Sequence, residues 1–182
     1  MSEGRMAIDN IEVTVSGLFT THHEFEIEAG SWGEVTFPAF AQHGTFRSAA
    51  RRSIPSAARE GQELHMRKVH WLRSEHELTE GETVRGRADR RGLLHSEIDI
   101  VFDGQEYCLA PQGILSRAWF LADAQGSTLL EIQPHGVFRQ GVTLTIEGPI
   151  PPELIVFAYY LVHERQQEEA AGVAAMAGAA SS

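Results

Sequence analysis

Hydrophobic and polar residues alternate with a period of two along most of the chain. Segment 23–28 reads His-Glu-Phe-Glu-Ile-Glu, and Ile98, Ile100 and Phe102 alternate with mostly polar neighbours. Because successive side chains of a strand point to opposite faces, this alternation predicts half-buried β-strands. About ten to twelve such segments follow one another between residues 8 and 146 at fairly even spacing, which is typical of a barrel or sandwich.

The boundaries of some strands are marked by turn residues. Asp103-Gly104 lies between the apolar residues Phe102 and Tyr107 and predicts a tight hairpin. A Glu80-Gly81 turn and a short strand around Val84 are expected within segment 79–88. We also expect one strand over residues 44–53 and another over residues 114–121, the latter following the Pro-Gln-Gly turn at 111–113.

The alternation ends in one uninterrupted apolar run, residues 154–162, Leu-Ile-Val-Phe-Ala-Tyr-Tyr-Leu-Val. Pro151 and Pro152 precede the run and suit the first turn of a helix, while Glu153 complements the helix dipole there. Helix-favouring residues follow, so we predict one helix over residues 151–171. The apolar run spans only about 14 Å, against about 30 Å for the hydrocarbon core of a bilayer. We therefore predict no membrane span.

A helix that is apolar on all sides must be enclosed on all sides by protein. Since nearly everything before it predicts β-strand, we predict a mainly β fold, a closed antiparallel barrel of about twelve strands that encloses the helix. Residues 1–171 would form this single domain. Residues 172–182 form a low-complexity tail of Ala, Gly and Ser with one Val and one Met, where we expect fraying.

Composition narrows the class of protein. The chain has 182 residues and a net charge of −10, which argues against nucleic acid as a partner. Its single cysteine, Cys108, excludes an internal disulfide and favours a reducing, cytoplasmic location. The first ten residues lack the basic and apolar regions of a secretory signal.

Motifs for catalysis or cofactors are missing from the sequence. There is no HExxH, CxxC, GxSxG, Walker or GxGxxG pattern, and the nine histidines do not follow the spacing of metal ligands. We therefore predict no metal and no cofactor, and we assign no catalytic residue. An enzyme whose site is assembled only by folding stays open.

A basic segment in an acidic chain is the feature that favours a ligand. Residues 44–95 hold eleven Arg or Lys and seven Asp or Glu, whereas the rest of the chain holds four and eighteen. Guanidinium groups from neighbouring strands could converge on a phosphate or sulfate. The candidate ligand-binding residues are Arg47, Arg51, Arg52, Arg85, Arg87, Arg90 and Arg91. The alternative is that they pair with nearby glutamates, which are Glu75, Glu77, Glu80 and Glu82.

A run of short strands closed by an apolar helix resembles the tubby C-terminal-like superfamily, which includes tubby, the phospholipid scramblases and the LURP-one-related proteins. The resemblance is carried by the strand pattern of residues 8–146, the hairpin at 102–107 and the helical segment 151–165. It implies a twelve-stranded barrel filled by its terminal helix. The chain lacks the proline-rich arm, cysteine cluster and acidic calcium loop of scramblases and the tubby signature for phosphoinositides, so it looks most like bacterial LURP-one-like members.

Two functions are compatible with these features. The first is a non-enzymatic binding module of the tubby-like or LURP-one-like type, which recognises a phosphorylated lipid headgroup or another small anion through the arginines. For this function we expect at least three of the seven guanidiniums within about 10 Å of one another, so that their fields add. The alternative is a structural or interaction scaffold that meets a protein partner and binds no small molecule.

Overall fold

Twelve strands and one helix form the protein in the computed structural model, which describes residues 10–17, 20–38, 43–49, 62–70, 74–90, 97–113, 117–135 and 141–179. The strands are β1 (Asn10–Ser16), β2 (Thr21–Ile27), β3 (Gly30–Phe37), β4 (His43–Ser48), β5 (Glu63–His70), β6 (Glu75–Glu80), β7 (Thr83–Arg90), β8 (Ile98–Phe102), β9 (Gln105–Pro111), β10 (Trp119–Asp123), β11 (Thr128–Pro134) and β12 (Gly141–Ile146). The helix is α1 (Pro152–Ala179).

The strands close into one antiparallel barrel. Each strand pairs with its neighbours in the chain, and β1 pairs with β12 to complete the ring, with Val13 opposite Val142. Closure leaves no strand with an unpaired edge, which removes the usual route to edge-to-edge association. The predicted mainly β closed barrel is confirmed.

The hairpin predicted at Asp103-Gly104 is also confirmed. It joins β8 to β9, and Phe102 pairs with Gln105 across the turn. Asp103 and Gly104 have φ values of 47° and 79°, the left-handed conformations that a two-residue type I′ turn requires at both central positions.

Inward-facing residues from every strand pack around the first half of α1. Residues 154–162 of the helix are all buried, including Ala158 and Tyr160 at 0% exposure. One core residue from each strand belongs to the same cluster: Ile11, Phe25, Val35, Phe46, Leu64, Leu78, Ala88, Ile100, Leu109, Leu121, Ile132 and Leu144. The predicted enclosure of the apolar helix is therefore observed.

The helix is longer than predicted. It begins at Pro152 and continues to Ala179, eight residues past the predicted end at 171, so residues 172–179 are helical rather than frayed. Their alanine content accounts for this, because alanine has the highest helix propensity. Over residues 167–176 most side chains are exposed, with Val173 at 70% and Met176 at 77%. The second half of α1 thus projects out of the barrel.

Three predicted strands have different bounds. The strand expected over residues 44–53 is β4, which ends at Ser48, and residues 50–61 lie outside the described part of the chain. Segment 79–88 divides between the end of β6 and most of β7, on either side of the predicted turn. The strand expected over 114–121 is β10, which runs from Trp119 to Asp123, and residues 114–116 lie outside the described part of the chain. Just before β10, the amide of Gln112 donates to the carbonyl of Ala118 (2.8 Å).

The direction of α1 distinguishes the two ends of the barrel. The lower rim, where the helix begins, carries Glu80, Arg85, Asp103 and Glu153. The upper rim, where the helix leaves, carries His23, His76, Tyr159 and His163 among the buried or half-buried groups. These two names are used below.

Candidate functional site at the upper rim of the barrel

The arginines predicted to bind an anion lie on two strands of the barrel wall or outside the described residues. Arg47 is on β4, and Arg85, Arg87 and Arg90 are on β7. Strands β5 and β6 separate β4 from β7, a distance of about 14 Å along the wall at the usual strand spacing. Arg51, Arg52 and Arg91 fall in segments that the structure does not describe.

Two of these arginines form ion pairs on the outer wall. The Nε atom of Arg47 lies 3.3 Å from Glu63, and that of Arg87 lies 3.2 Å from Glu77. Glu77 also pairs with Arg67 at 3.2 Å, so one carboxylate is shared by two guanidiniums. The alternative role weighed from the sequence, pairing with a nearby glutamate, describes Arg87.

Arg85 is engaged more fully, at the lower rim. Its Nε and Nη2 atoms donate to the two carboxylate oxygens of Asp103 at 2.7 and 2.6 Å, and its Nη1 atom donates to Glu80. The guanidinium also lies 5.5 Å from the centre of the Phe102 ring. The hydrogen bonds that Arg85 donates to Asp103 are the first of the causes that raise the pKa of Arg85, and the same bonds lower the pKa of Asp103. Arg85 therefore ties the β6–β7 hairpin to the β8–β9 hairpin.

A buried polar pair lies where α1 leaves the barrel. The Nδ1 atom of His23 is 2.5 Å from the hydroxyl of Tyr159, and its Nε2 atom is 3.3 Å from Thr21 Oγ1. Burial raises the pKa of Tyr159, so the phenol keeps its proton and can donate it to Nδ1. In that tautomer His23 Nε2–H donates to Thr21, and both ring nitrogens are satisfied.

Histidines 23, 163 and 76 are neutral at physiological pH. Burial, reinforced by His163 and His22, lowers the pKa of His23 to about 3. Burial also lowers the pKa of His163 to about 4; its ring lies 4.7 Å from that of His23 and 4.3 Å from Phe37. A pKa this far below neutrality makes His23 a weak base, so the pair with Tyr159 suits hydrogen bonding better than proton transfer.

His76 lies on the β6 side of the same rim. Its ring packs edge-on against Tyr160, with centroids 5.7 Å apart. Burial lowers its pKa to about 4, helped by the charge of Lys68, while Glu168 and the main chain of Ser74 oppose the shift. Lys68 pairs with Glu168 at 2.8 Å and so joins β5 to α1 just beyond the barrel.

A cleft of about 1220 Å³ opens between the projecting part of α1 and the ends of the strands. We call it the rim cleft. Its barrel side includes Thr21, His23, Arg117, Trp119, Phe120 and Val142. Its helix side includes Tyr159, Val162, His163, Gln166, Ala170 and Val173. The cleft thus combines apolar walls, neutral hydrogen-bonding groups and one arginine.

The charges around the rim cleft are mostly neutralised. Glu169 pairs with Arg165 at 3.1 Å, Glu97 already engages another group, and His135 lies 2.7 Å from Thr143 and 3.4 Å from Glu12. Among the described residues, Arg117 has no carboxylate within ion-pair distance. Of the described cationic residues in the lining, Arg117 is therefore the one that we expect to meet a ligand.

Sequence reasoning did not select Arg117 or the rim histidines. Arg117 lies outside the basic segment 44–95 and stands alone before an apolar strand. The sequence did contain a signal for His23. Strict alternation places it on the same strand face as Phe25 and therefore inside the barrel. His163 likewise follows directly on the apolar run of α1. In both cases the useful signal was a polar residue at a position that the hydrophobic pattern predicts to be buried.

Comparisons of the chain with protein-family models, with curated protein sequences and with solved structures return no match. The resemblance to the tubby C-terminal-like superfamily stays a prediction. Within the described ranges, no helix is both long enough and apolar enough to span a membrane, and no three His, Cys, Asp or Glu side chains come together as a metal site.

Proposed function

We propose that the protein is a non-enzymatic binding module that holds a small organic molecule in the rim cleft. We propose a module of the tubby-like or LURP-one-like group, whose pattern of strands closed by an apolar helix the chain resembles, with the cytoplasmic location that the lone Cys108 favours. The observation that carries the proposal is the rim cleft itself, a cavity of about 1220 Å³ between α1 and the strand ends.

The filled interior supports a site at the rim. Residues 154–162 occupy the centre of the barrel, and side chains from all twelve strands contact one continuous core around them. A ligand cannot take the central cavity that an empty barrel of similar design would offer. The rim cleft provides concave apolar surface together with a few polar groups, which is the usual composition of a small-molecule site.

The experiment fills the cleft from its helix side. Ala170→Trp places an indole in the cleft, whereas Ala171→Trp places the same side chain on an exposed helix position outside the lining. We expect the wild type and Ala171→Trp to bind anilinonaphthalene sulfonate equally, measured by fluorescence titration. Ala170→Trp should bind it at least about tenfold more weakly, a loss of about 1.4 kcal/mol. Equal binding by all three proteins contradicts the proposal.

The arginine site predicted from the sequence is a competing location for an anionic ligand. Arg47 and Arg87 would have to leave Glu63 and Glu77 to bind it, and an exposed pair such as that of Arg47 with Glu63 is worth only about 0.2–1 kcal/mol. The double variant Arg47→Gln plus Arg87→Gln separates the two locations. Loss of inorganic phosphate or probe binding in that variant favours the wall, whereas unchanged binding favours the cleft.

A second candidate function is interaction with a protein partner, as the sequence alternative suggested. The projecting part of α1 favours it, because Val173 and Met176 are large apolar residues exposed at 70% and 77%. The same titrations discriminate between the two functions. A scaffold would show no saturable probe binding that depends on Ala170, and no thermal shift with any small anion or amphiphile.

A further inference from the structure

We infer that the rim cleft takes a linear amphiphile with a single negative charge, whose carboxylate pairs with Arg117 and whose alkyl chain lies along the apolar wall toward Tyr159. The inference rests on the proposed function, since it assigns a ligand class to the same cleft. It differs from the arginine hypothesis of the sequence in both the cation and the ligand. A medium-chain alkanoate such as decanoate is the model ligand.

The position of the charge follows from ion pairing. Five described arginines on the barrel wall and the helix already contact carboxylates: Arg47, Arg67, Arg85, Arg87 and Arg165. Arg117 contacts none among the described residues, and its side chain lines the cleft. A guanidinium without a partner beside an apolar surface is a suitable place for a carboxylate, which it can bind through two parallel hydrogen bonds.

The number of negative charges expected on the ligand follows from the acidic residues that also line the rim cleft. Glu97 and Glu169 also face the cleft, and each is already engaged within the protein. A second negative charge on the ligand would find no free cation in the described lining and would approach these carboxylates. The cleft therefore favours one negative charge over two.

The expected position of the ligand's alkyl chain follows from the apolar residues that line the cleft. Trp119 and Val142 from the barrel face Val162 from α1 across the cleft, and all three are largely buried. Little of their surface is exposed, so the apolar area that an alkyl chain would remove from water, at about 25 cal/mol per Å², comes chiefly from Val173, which also lines the cleft and is 70% exposed. Because the cleft is lined by α1 from Tyr159 to Val173, a length of about 21 Å at the usual helical rise, it suits an extended chain better than a compact ring system.

The orientation follows from the inner end of the cleft. His23 and Tyr159 satisfy each other there at 2.5 Å, and His163 beside them is uncharged. No charged partner for a carboxylate is present at this end among the described residues, and burying an unpaired charge would cost several kcal/mol. The head group must therefore point outward to Arg117, with the chain directed inward.

The test compares ligands of equal chain length below the concentrations at which they form micelles. Decanoate and decanol are titrated into the wild type, Arg117→Gln and the matched control Arg87→Gln by isothermal calorimetry. We expect Arg117→Gln to weaken decanoate binding about three- to tenfold and to leave decanol binding within about twofold, while Arg87→Gln changes neither. Decanoate binding by the wild type, unlike decanol binding, should weaken when the salt concentration rises from about 0.05 to 0.5 M.

A charge reversal gives a positive result to look for. Arg117→Glu should lose decanoate and bind decylammonium more tightly than the wild type does, because the guanidinium is replaced by a carboxylate at the same place. Thermal unfolding of each variant checks that the exposed substitution leaves the fold intact.

The outcomes distinguish a wrong ligand class from a wrong function. If decanoate and decanol bind the wild type equally, and Arg117→Gln changes neither affinity, the charged ligand class is wrong while the binding function stands. If decyl phosphate as a dianion binds better than decanoate, the single charge is wrong. If no amphiphile binds and Ala170→Trp leaves probe binding unchanged, the proposed function itself fails.

Discussion

The two rims of the barrel handle their polar groups in opposite ways. At the lower rim the charged groups are paired with one another: Arg85 holds Asp103 and Glu80, and Gln62 donates to Glu80 and Glu153 at 2.9 and 3.1 Å. At the upper rim the polar groups are neutral rings buried beside α1. Arg117, which has no carboxylate partner in the part of the chain that the structure describes, lines the rim cleft there.

This difference indicates different roles for the two rims. Mutual pairing at the lower rim satisfies the polar groups and fixes the start of α1 against two hairpins, which is a structural task. The upper rim instead buries His23 and His76, half-buries His163, and carries Arg117, which has no carboxylate partner among the described residues. Since buried histidines resist protonation, that rim should also be the part of the barrel most sensitive to acid.

The largest predicted effect comes from a substitution in α1, the helix that packs against both rims of the barrel. Ala158→Glu places an unpaired carboxylate at a position with 0% exposure, in the middle of the enclosed part of α1. The cost of several kcal/mol is comparable with the total stability of a domain, about 5–15 kcal/mol. We expect no soluble folded protein, judged by circular dichroism and yield.

The matched control is Ala171→Glu, which adds the same side chain to the exposed part of the same helix. It should fold with a melting temperature close to that of the wild type. A folded Ala158→Glu protein with an unchanged melting temperature would contradict the enclosure of the helix.

The enclosure could be predicted because its signals are local. Nine consecutive apolar residues force a helix to be buried on all sides, whichever strands surround it. The Asp103-Gly104 hairpin was predictable for the same reason, since a type I′ turn depends on two adjacent residues. Helix length was less certain, because an alanine-rich tail can either fray or continue the helix.

The upper rim could not be predicted because its contacts join distant parts of the chain. His23 and Tyr159 are 136 residues apart in sequence, and Lys68 and Glu168 are 100 apart. These pairs depend on the strand register and on the depth of α1 in the barrel, neither of which is encoded locally. Ion pairs between strands could not be predicted from the sequence either. The arginine-rich segment therefore predicted a ligand site, whereas the described Arg85 and Arg87 are paired with carboxylates.

The second effect is acid destabilisation from the upper rim. The pKa values of His23, His163 and His76 fall to about 3, 4 and 4 in the folded protein, whereas unfolded histidine titrates near 6.5. Below pH 6.5 the unfolded chain therefore binds more protons than the folded protein, and stability decreases as the pH falls toward 4. At pH 5 each histidine contributes a loss of at most about 2 kcal/mol.

Other ionisable groups at the upper rim change how much stability the protein loses in acid. Lys68 faces His76 and adds to it, whereas Glu168 and Asp89 favour the protonated ring. Burial raises the pKa of Glu164, so protonation of that carboxyl in the folded protein offsets part of the loss as the solution becomes acidic. The net effect at pH 5 should still be a loss of several kcal/mol relative to pH 7.5, measured by urea unfolding.

Variants at the rim sharpen this prediction. His76→Phe keeps a ring beside Tyr160 and removes one group that the unfolded chain protonates, so its stability should decrease less between pH 7.5 and 5. The control is His65→Gln on the outer face of β5, which should keep the acid slope of the wild type. If both variants have the wild-type slope, the buried ring of His76 is not a source of the acid loss.

The smallest effect distinguishes the lower rim from the outer wall. Arg85→Met keeps the apolar stem near Phe102 but leaves Asp103 and Glu80 without their guanidinium, so we expect a loss of about 1 kcal/mol in the free energy of unfolding at pH 7. Arg87→Met should cost less than about 0.5 kcal/mol, because the side chain is 64% exposed and Glu77 retains Arg67.

The pH dependence identifies the source of the Arg85 effect. Arg85 lowers the pKa of Asp103 from its ordinary 3.8, so the stabilisation is complete above that value and is lost as the pH falls through the lower pKa of the folded protein. The difference between the wild type and Arg85→Met should therefore narrow at pH 2.5 to 3, provided both still fold there, and should be constant from pH 5 to 8. Equal losses for Arg85→Met and Arg87→Met would mean that the lower rim is no better fixed by its charges than the open wall.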